Sequence, residues 1–462
     1  MQEKQLFTIT DLGGGDGGKG GVVHKVCTEK QAHTVIKVGG AQGSHGVRTS
    51  FGQSHNFSQF GCGTFEGTRT HMSEIMLVEP YLLLEEAQRL KFEWGIHNIF
   101  DYLTIDQTAL CITPYHTIAS RLREMSRTHN PKGTVGIGAG EAILDAESHP
   151  LTAIFAKDLG QPHLRKKIET IREQKIADLL PLITANHFLP EDIVCAKSNI
   201  ELLYENDFVD RILERFNTLA TSAKIVPSEY LKKHILSRPG TVVVEASHGI
   251  LTDRYHGFHP HTTKVRTLPQ ETLRMLEQAN YDGEIFKLGV TRGYQIRHGA
   301  GPMVTESPEL TDTLLPGSHK DENRWQGKVR VGPLDLIALR YAIEVCGGPS
   351  FFDGLAISWF DQIQTVGKWD VCTAYRNIDD PLYFSTDGSI KVRRGSGDQQ
   401  LAYQQKLGER LSQCTPEVYS YDVQGKSQEE LIELCSQTLL EKLGVPVRMI
   451  SFGPTEKDKV CL

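Results

Sequence analysis

An acid and a lysine stand among glycines near the start of the chain. Residues 12–21 read LGGGDGGKGG and place Asp16 and Lys19 among seven glycines. Such a run lets backbone N–H groups close around phosphate oxygens, and a lysine adds positive charge. The G-x4-G-K spacing is that of a Walker loop, but Gly20 stands where a hydroxyl would bind magnesium. We therefore predict a phosphate loop with Asp16 as the metal ligand; a merely flexible turn would leave the acid and the lysine unexplained.

A second glycine cluster carries a histidine. Residues 39–46 read GGAQGSHG and directly follow a predicted strand. Loops at the carboxyl ends of parallel strands share one edge of a sheet, so His45 is expected to face the phosphate loop. There it is a candidate acid or base, with a purely structural histidine as the alternative.

The elements that must position these loops alternate between strands and helices. Strands are predicted at 5–10, 33–38, 240–245, 282–290, 355–359 and 447–451, and helices at 72–92, 161–185 and 429–443. Pro181 is expected to end or kink its helix. The prediction is an α/β fold with a large, mostly parallel central sheet flanked by helices, a P-loop-like phosphate loop, and helical and loop insertions. We expect a single domain, 1–462, with helical subregions at about 72–130 and 160–235.

Composition narrows the function classes. The 462 residues carry a formal net charge of −7, which argues against a general nucleic-acid coat. The nine cysteines form no C-x-x-C pair, which is typical of a reduced chain. We find no signal peptide and no apolar run long enough to cross a bilayer. A cytoplasmic protein without nucleic-acid or membrane partners is expected.

Eight motifs, in the same order along the chain, resemble those of the adenylosuccinate synthetase family. The first two, GDGGKGG at 15–21 and GGAQGSH at 39–45, resemble the family's GDEGKGK and GGHNAGH. The others are GTVGIG at 133–138, EASHGILTD at 245–253, GFHPHTT at 257–263, RHGAGPMVTE at 297–306, GPLD at 332–335 and SFGP at 451–454. The colinear set covers almost the whole chain and suggests a divergent member, related to the phage 2-aminoadenylosuccinate synthases.

The resemblance implies a two-step ligase reaction. A nucleoside triphosphate, GTP or ATP, phosphorylates O6 of a purine nucleoside monophosphate, and L-aspartate then displaces that phosphate. Asp16 matches the family's base, His45 its acid near the transferred phosphoryl group, and Asp16 with the carbonyl of Ser44 its Mg2+ ligands. The resemblance further implies a homodimer in which an arginine crosses the interface; residues 149–152 occupy that neighbourhood without one.

The resemblance also assigns binding residues. Nucleotide and phosphate contacts fall on Gly15, Gly17, Gly18, Lys19, Gly20, Thr134, His248, Thr263, Asp361 and Gly453. Among these, Thr134 and Thr263 would lie near the 5′-phosphate of the acceptor, although helix capping or turn chemistry would also explain them. Lys328 and Arg330 fall on two arginines of the amino-acid-binding stretch.

Several positions depart from the family pattern. His248 replaces a glutamine that reads the purine, Ala41 replaces a histidine, and Trp359 replaces a lysine near the donor base. A tryptophan face would stack on any purine, so ATP or dATP is an alternative donor. Because the phosphoryl-transfer residues are kept, we expect altered substrates rather than an inactive protein. The alternatives are a dGMP–aspartate ligase of 2-aminoadenine synthesis, a non-catalytic purine nucleotide sensor, and another phosphotransferase.

Overall fold

The computed structural model describes residues 3–315 and 324–462. Within them the chain alternates between strands and helices along its whole length. The strands are β1 (Lys4–Asp11), β2 (Thr34–Gly39), β3 (His45–Arg48), β4 (Ser54–Phe57), β5 (Arg69–Val78), β6 (Leu103–Asp106), β7 (Leu110–Cys111), β8 (Lys224–Val226), β9 (Gly240–Gly249), β10 (Glu284–Arg292), β11 (Gln295–His298), β12 (Val329–Gly332), β13 (Leu334–Asp335), β14 (Gly354–Ser358), β15 (Lys368–Arg376), β16 (Thr415–Asp422), β17 (Val447–Ser451) and β18 (Lys459–Cys461).

The helices lie between these strands. They are α1 (Lys19–Lys30), α2 (Pro80–Trp94), α3 (Pro114–Met125), α4 (Ala139–Ser148), α5 (Leu164–Ala185), α6 (Ile193–Tyr204), α7 (Phe208–Ser222), α8 (Pro269–Gln278), α9 (Pro308–Leu314), α10 (Leu336–Cys346), α11 (Phe360–Val366), α12 (Asp398–Leu411) and α13 (Gln428–Leu443). The longest run of helices without an intervening strand, α3 to α7, lies between β7 and β8.

One large sheet organises the described chain. Its strands follow the order β18-β17-β14-β10-β1-β9-β2-β5-β6-β8, and β7 also pairs with β5. Apart from the β17–β18 pair, its neighbouring strands are parallel. Smaller sheets are formed by β3 with β4, by β11 with β12, and by β13, β15 and β16. The predicted α/β fold with a large, mostly parallel central sheet is confirmed.

Helices cover both faces of the large sheet because neighbouring strand residues point to opposite sides. Phe7 and Ile9 of β1 pack with Val23 of α1 in one buried cluster. Leu6, on the other side of the same strand, packs with Met275 of α8. Burial of each such side chain contributes roughly 1.5–3 kcal/mol, so both faces of β1 are anchored.

One local prediction was wrong, and the expected end of a helix at Pro181 was not found. The segment 72–92 was expected to be helical, but β5 continues to Val78, and α2 begins only at Pro80. The strand forms because this apolar stretch pairs with strands on both sides, while Glu79 caps the helix by accepting a hydrogen bond from the N–H of Leu82. Pro181 does not end α5, which continues to Ala185.

Strand order brings five loops to one edge. The central strands β14, β10, β1, β9 and β2 are adjacent and parallel, so their carboxyl ends share that edge. They end at Ser358, Arg292, Asp11, Gly249 and Gly39 respectively. The phosphate loop, residues 13–21, leaves from the middle of this row, and the predicted catalytic residues follow the strands beside it.

Candidate active site

Asp11, the last residue of β1, holds the phosphate loop in shape. Its carboxylate accepts hydrogen bonds from the N–H groups of Gly13 (2.8 Å) and Gly17 (2.7 Å) and from the ammonium of Lys19 (2.9 Å). Lys19 also donates to the carbonyl of Gly15 at 2.6 Å. The Asp11 and Lys19 side chains are fully buried. Sequence reasoning missed Asp11, although its place between a strand and a glycine loop was a usable signal.

Glycine is required where the loop enters α1. Gly18 has φ 96° and caps the helix without a side-chain hydrogen bond. A Cβ there would lie 2.6 Å from Oγ of Ser358, and one at Gly20 would lie 2.6 Å from the carbonyl oxygen of Gly46. The loop therefore packs tightly against its neighbours, while the first N–H groups of α1 remain free of a side-chain cap. Such a helix start suits an anion.

Asp16 points to a histidine that sequence reasoning did not select. Nε2 of His298 lies 2.9 Å from Oδ2 of Asp16, and both side chains are partly exposed. Burial raises the pKa of Asp16, but His298, Arg292 and Lys19 outweigh it and hold that pKa well below its usual range. Burial lowers the pKa of His298, and Asp16 more than reverses this effect. Arg292 also donates from Nε to the carbonyl of Asp16.

His45 is held by a buried carboxylate and lysine. Its Nδ1–H donates to Oε1 of Glu245 at 2.6 Å, and Lys37 donates to the same oxygen at 2.7 Å. The other oxygen of Glu245 accepts from the N–H of Cys62 at 2.9 Å. Burial lowers the pKa of His45, as do Lys37 and Lys19, whereas Glu245 raises it. The ring is thus fixed in orientation with Nε2 left for a ligand.

The same cluster has the composition of a transition-metal site. Ligand atoms of His45, Cys62 and Glu245 lie within 4.8 Å of one another. Lys37 already neutralises Glu245 from 2.7 Å, and burial holds the pKa of the Cys62 thiol well above its usual range. An ammonium in that position and a protonated thiol both disfavour a bound cation. We interpret the cluster as the support of His45.

The donor set expected for magnesium is different. Asp16 offers a carboxylate and Ser44 a backbone carbonyl, and Mg2+ prefers such hard oxygen ligands. One carboxylate oxygen of Asp16 is bonded to His298, so the other remains for a metal. Ser44 is exposed and immediately precedes His45. The residues fit magnesium in chemistry, and the two candidate ligands lie on the two loops predicted from the sequence.

His248 lies beside the phosphate loop in an unusual backbone conformation. Its φ is 63°, and a Cβ on Gly15 would lie 3.6 Å from its Cα. The hydroxyl of Ser247 accepts from the N–H of Gly40 at 2.6 Å and lies 3.0 Å from Nδ1 of His248. With the hydroxyl as donor to Nδ1, the neutral ring carries its proton on Nε2; the opposite tautomer reverses both roles. Burial, with Lys19 and His45, lowers the pKa of His248 to about 3.

Trp359 and Asp361 place an aromatic ring and a carboxylate on the other side of the phosphate loop. Trp359 has φ 61° and caps α11, whose first turn contains Asp361. The guanidinium of Arg292 lies 4.5 Å from the centre of the Trp359 ring. Gly453 follows β17, and a Cβ there would lie 2.8 Å from Cγ of Asp458. This arrangement offers a stacking surface and an acceptor beside the phosphate loop.

Thr134 and Thr263 lie on two further loops. The hydroxyl of Thr134 accepts from the N–H of Gly136 at 3.2 Å, and that of Thr263 accepts from the N–H of Val265 at 3.1 Å. Both hydroxyls thus take part in local turns and still have a proton to donate. Nδ1 of His261 lies 3.2 Å from the carbonyl of Lys132 and joins the two loops.

The two residues predicted to bind the amino acid differ in their surroundings. Arg330 in β12 donates to Glu306 at 2.7 Å and to the carbonyls of Gly299 (2.6 Å) and Gly301 (2.8 Å). Its guanidinium is therefore largely used in holding the 299–301 turn. Lys328 is exposed, and its carbonyl accepts from the N–H of Gly299 at 3.0 Å. Of the two side chains, Lys328 is the more accessible cation.

The family model for adenylosuccinate synthetase matches residues 9–460 of this chain. The chain belongs to the adenylosuccinate synthetase family. Its members are carbon–nitrogen ligases of purine biosynthesis, and this chain belongs to that class of enzymes. The predicted resemblance is confirmed.

Two curated adenylosuccinate synthetases illustrate the distance within the family. The one from Bdellovibrio bacteriovorus is 28% identical over 367 residues, which cover 78% of each chain. The one from Chlorobium chlorochromatii is 27% identical over 451 residues, covering 96% of this chain and 95% of the relative. At this identity the family is secure, whereas individual binding residues are free to differ.

Two solved structures share the fold. Fully ligated adenylosuccinate synthetase from Plasmodium falciparum has a TM-score of 0.76 at 17% identity and covers 99% of both chains. Succinoaminodeoxyadenylate synthetase of cyanophage S-2L, bound to dGMP and to dATP as an energy donor, has a TM-score of 0.55 at 14% identity. It covers 100% of this chain and 96% of its own.

Within this synthetase fold the predicted residues form groups. Asp16, Lys19, His45 and His248 lie close enough for Lys19, His45 and Asp16 all to perturb the pKa of His248. Asp361 and Gly453 belong to the Trp359 side, and the two threonines to the loops joined by His261. Among the helices of residues 3–315 and 324–462, none combines the length and apolar character that a bilayer-spanning segment needs.

Proposed function

We propose that the chain transfers the γ-phosphoryl group of a nucleoside triphosphate to O6 of a 6-oxopurine nucleotide and then joins that nucleotide to aspartate. The observation that carries the proposal is the convergence of Asp16, Lys19 and His45 on one sheet edge, in the order in which the family's motifs occur. Each of these residues has a partner that fixes its position, buried for Lys19 and His45 and partly exposed for Asp16.

In the first step Asp16 accepts the N1 proton of the purine on Oδ2, in exchange for its bond to His298, because its other oxygen is assigned to magnesium. The electrons of the N1–H bond make O6 nucleophilic, an O6–phosphorus bond forms, and the bond from the γ-phosphorus to its bridging oxygen breaks. His45 donates a hydrogen bond to the transferred group from Nε2 as an imidazolium, since its Nδ1–H is already given to Glu245; the negative phosphates favour that charged form. Glu245 supports this role because it fixes Nδ1–H, and Lys37 keeps that carboxylate charged. Catalysis of this kind depends on positioning and on charge placed before the reaction.

In the second step the amine of aspartate attacks C6. A C6–nitrogen bond forms, the C6–O6 bond breaks, and inorganic phosphate leaves with the bonding electrons and takes up the proton that the amine loses. Lys328 is our candidate for an aspartate carboxylate because it is exposed. Arg330 is a candidate only if it exchanges its bond to Glu306 for one to the substrate.

Magnesium would be held by the free oxygen of Asp16 and the carbonyl of Ser44. When bound, it would spread negative charge over the phosphate oxygens. Gly15, Gly17, Gly18 and Gly20 would let the loop's N–H groups approach those oxygens. Lys19 must be shared between them and Asp11, its partner at 2.9 Å.

The acceptor nucleotide would lie between His248 and two loops that we call the acceptor loops, residues 130–138 and 257–264. The neutral ring of His248 offers Nε2–H to an acceptor atom of the purine. Thr134 and Thr263 would donate their hydroxyl protons to the 5′-phosphate. A histidine in place of the family's glutamine keeps one donor and adds a flat face for the base.

The donor base would stack on Trp359 with Asp361 at its edge. Asp361 accepts from N–H groups, which guanine presents at N1 and N2 and adenine at N6. Gly453 lies at the same side of the phosphate loop. A ring in place of the family's lysine relaxes the requirement for guanine, so we propose ATP or dATP besides GTP.

A dGMP–aspartate ligase is the second candidate. The phage enzyme that shares this fold is described as binding dGMP and dATP. Ala41 and Gly15 are small and would leave space for the 2-amino group of guanine. Asp16 remains compatible with either acceptor, since the N1 proton has to leave in both reactions.

Phosphate release with mass spectrometry of the products tests the proposal. Purified protein with Mg2+ and aspartate would receive ATP, GTP or dATP against IMP, dIMP, GMP and dGMP. A succinylated nucleotide with one combination would identify both substrates. Phosphate release without such a product would point to another amine. Tight nucleotide binding without any release would contradict the proposal and favour the non-catalytic sensor.

A further inference from the structure

Four basic side chains gather where the acceptor loops meet. Lys132 lies on the first loop, and His259, His261 and Lys264 lie on the second, with His261 bonded to the carbonyl of Lys132. Lys264 packs against α4, since a Cβ on Gly140 would lie 3.2 Å from its Cγ. Like charges placed together are unfavourable unless a counter-charge is supplied.

The neighbouring acids have other partners. Glu141 pairs with Arg123 at 3.1 Å and with Lys175 at 3.0 Å. Glu147 binds the guanidinium of Arg254 through both of its oxygens. In the part of the chain that the structure describes, neither Lys132 nor Lys264 has a carboxylate within ion-pair distance. Glu124, Glu141 and Glu147 act on the two lysines only from a longer range, so the basic group is not neutralised by contact ion pairs.

Glu124 is engaged in the same way. It accepts from Arg127 at 2.6 Å and from the N–H of Gly133 at 2.7 Å. Its carboxylate therefore shapes the start of the first acceptor loop, between Lys132 and Thr134. The acid that lies nearest to this turn thus holds backbone and an arginine, and the lysine beside it stays exposed.

The surroundings suit a phosphate rather than a carboxylate of this chain. Nδ1 of His259 is buried and has no hydrogen-bond partner among residues 3–315 and 324–462. Gly138, with φ 86°, is the N-cap residue of α4. It offers no side chain, so the first N–H groups of the helix have no side-chain cap. Lys264 also borders a cavity of about 270 Å³. Lysines, an imidazole and a helix N-terminus together are donors for a phosphate.

We propose that Lys264, assisted by Lys132, binds the 5′-phosphate of the acceptor nucleotide. The two lysines would supply from this chain the positive charge that, in the family, an arginine of the partner subunit is expected to supply. This inference rests on the proposed function. Burial, followed by Arg254, lowers the pKa of Lys264, and burial, Arg127 and Lys264 lower that of Lys132. A phosphate dianion would relieve this repulsion.

Calorimetric binding of IMP and dGMP, each compared with its nucleoside, tests the proposal. Lys264→Met should weaken binding of the monophosphates about 10- to 100-fold, as expected for a lost charge-assisted hydrogen bond. It should leave nucleoside affinity unchanged. Lys132→Met should have a smaller effect in the same direction. Lys166→Met, an exposed lysine of α5, is the matched control and should change neither.

An equal loss for nucleotide and nucleoside would overturn the assignment, because it would indicate a disturbed fold. Unchanged monophosphate binding in the Lys132→Met/Lys264→Met double variant would also overturn it. Thermal stabilisation by pyrophosphate provides a readout that does not depend on the ligase reaction. Suppose that no nucleotide binds but pyrophosphate stabilises the protein and Lys264→Met abolishes that stabilisation. The anion site would then be supported, although the proposed function would fail. If pyrophosphate gave no stabilisation either, both the anion site and the proposed function would be contradicted.

Discussion

The two sides of the candidate site treat charge in opposite ways. Around the phosphate loop, Lys19 is paired with Asp11, and Lys37 is paired with Glu245 inside the sheet edge. Around the acceptor loops, Lys132 and Lys264 have no such acid within ion-pair distance in the described residues, because the neighbouring carboxylates hold arginines and backbone. We call these two regions the paired side and the unpaired side.

The difference indicates two tasks. A buried ion pair contributes little net stability, but it fixes where each group stands, which a phosphoryl transfer requires. Unpaired cations instead leave charge to be neutralised by a ligand, which favours binding and fast association of an anion. We therefore expect variants on the paired side to lower turnover or stability, and variants on the unpaired side to change affinity.

Removal of the loop carboxylate should have the largest effect. Asp16→Ala loses the proposed base and one magnesium ligand, so turnover should fall about 10³- to 10⁴-fold. Triphosphate binding, measured by calorimetry, should change less than tenfold because the loop backbone and Lys19 remain. Asp101→Ala, an exposed acid far along the chain, is the control. Turnover within tenfold of the unchanged protein would contradict the assignment of Asp16.

Glu245→Gln should separate positioning from stability. The amide leaves Lys37 buried without its counter-charge, which costs about 3–5 kcal/mol of unfolding free energy. The neutral amide oxygen also holds Nδ1–H of His45 less strongly and no longer stabilises a charged ring, so turnover should fall about 100-fold in protein that is still folded. Chemical denaturation and steady-state kinetics measure the two effects.

The double variant Lys37→Met/Glu245→Gln sharpens this test. It removes both charges, so the free energy of unfolding should recover while turnover stays low. Recovery of both quantities would contradict a positioning role for Glu245, since His45 would then need no carboxylate. Failure of stability to recover would indicate that the pair is held for packing rather than charge.

Asp11→Asn should convert part of the paired side into an unpaired one. The variant keeps one carbonyl oxygen, which can accept from the N–H of either Gly13 or Gly17 but not from both, and it removes the negative charge that pairs with Lys19. We expect a lower melting temperature without ligand and about tenfold tighter triphosphate binding, because a charge-assisted bond is gained. Calorimetry and thermal shift check both, and weaker triphosphate binding would mean that Asp11 acts only by shaping the loop.

The sequence predicted the architecture and the two glycine loops correctly. Strands such as β1 and β9 are marked by local runs of β-branched residues, and the phosphate loop is marked by composition alone. The error at 72–92 arose because an apolar stretch in the middle of a sheet lacks the alternation that distinguishes a strand from a helix. Only the neighbouring strands decided that segment.

The partners of the predicted residues could not be predicted in the same way. Glu245 lies 208 positions from Lys37 and 200 from His45, and the contacts exist because β9 lies between β1 and β2. His298 reaches Asp16 from β11, outside the main sheet. Strand order, not local pattern, makes these pairs, so sequence spacing predicted the candidate reacting groups but not the residues that hold them.

The smallest expected effect concerns Arg292, a cation of the paired side that stacks on the ring of Trp359. Arg292 stacks on Trp359 at 4.5 Å and donates to the carbonyl of Asp16, so it links the donor base site to the phosphate loop. Trp359→Leu removes both the stacking surface and the cation–π contact, each worth about 1 kcal/mol. The KM for the triphosphate should rise about 5- to 20-fold for ATP and GTP alike, with kcat nearly unchanged.

Asp361→Ala provides the comparison, because loss of an edge acceptor should act unequally on the two bases. If Trp359→Leu lowered kcat instead, Arg292 would belong to the machinery that positions Asp16, and the donor base would have to be recognised elsewhere.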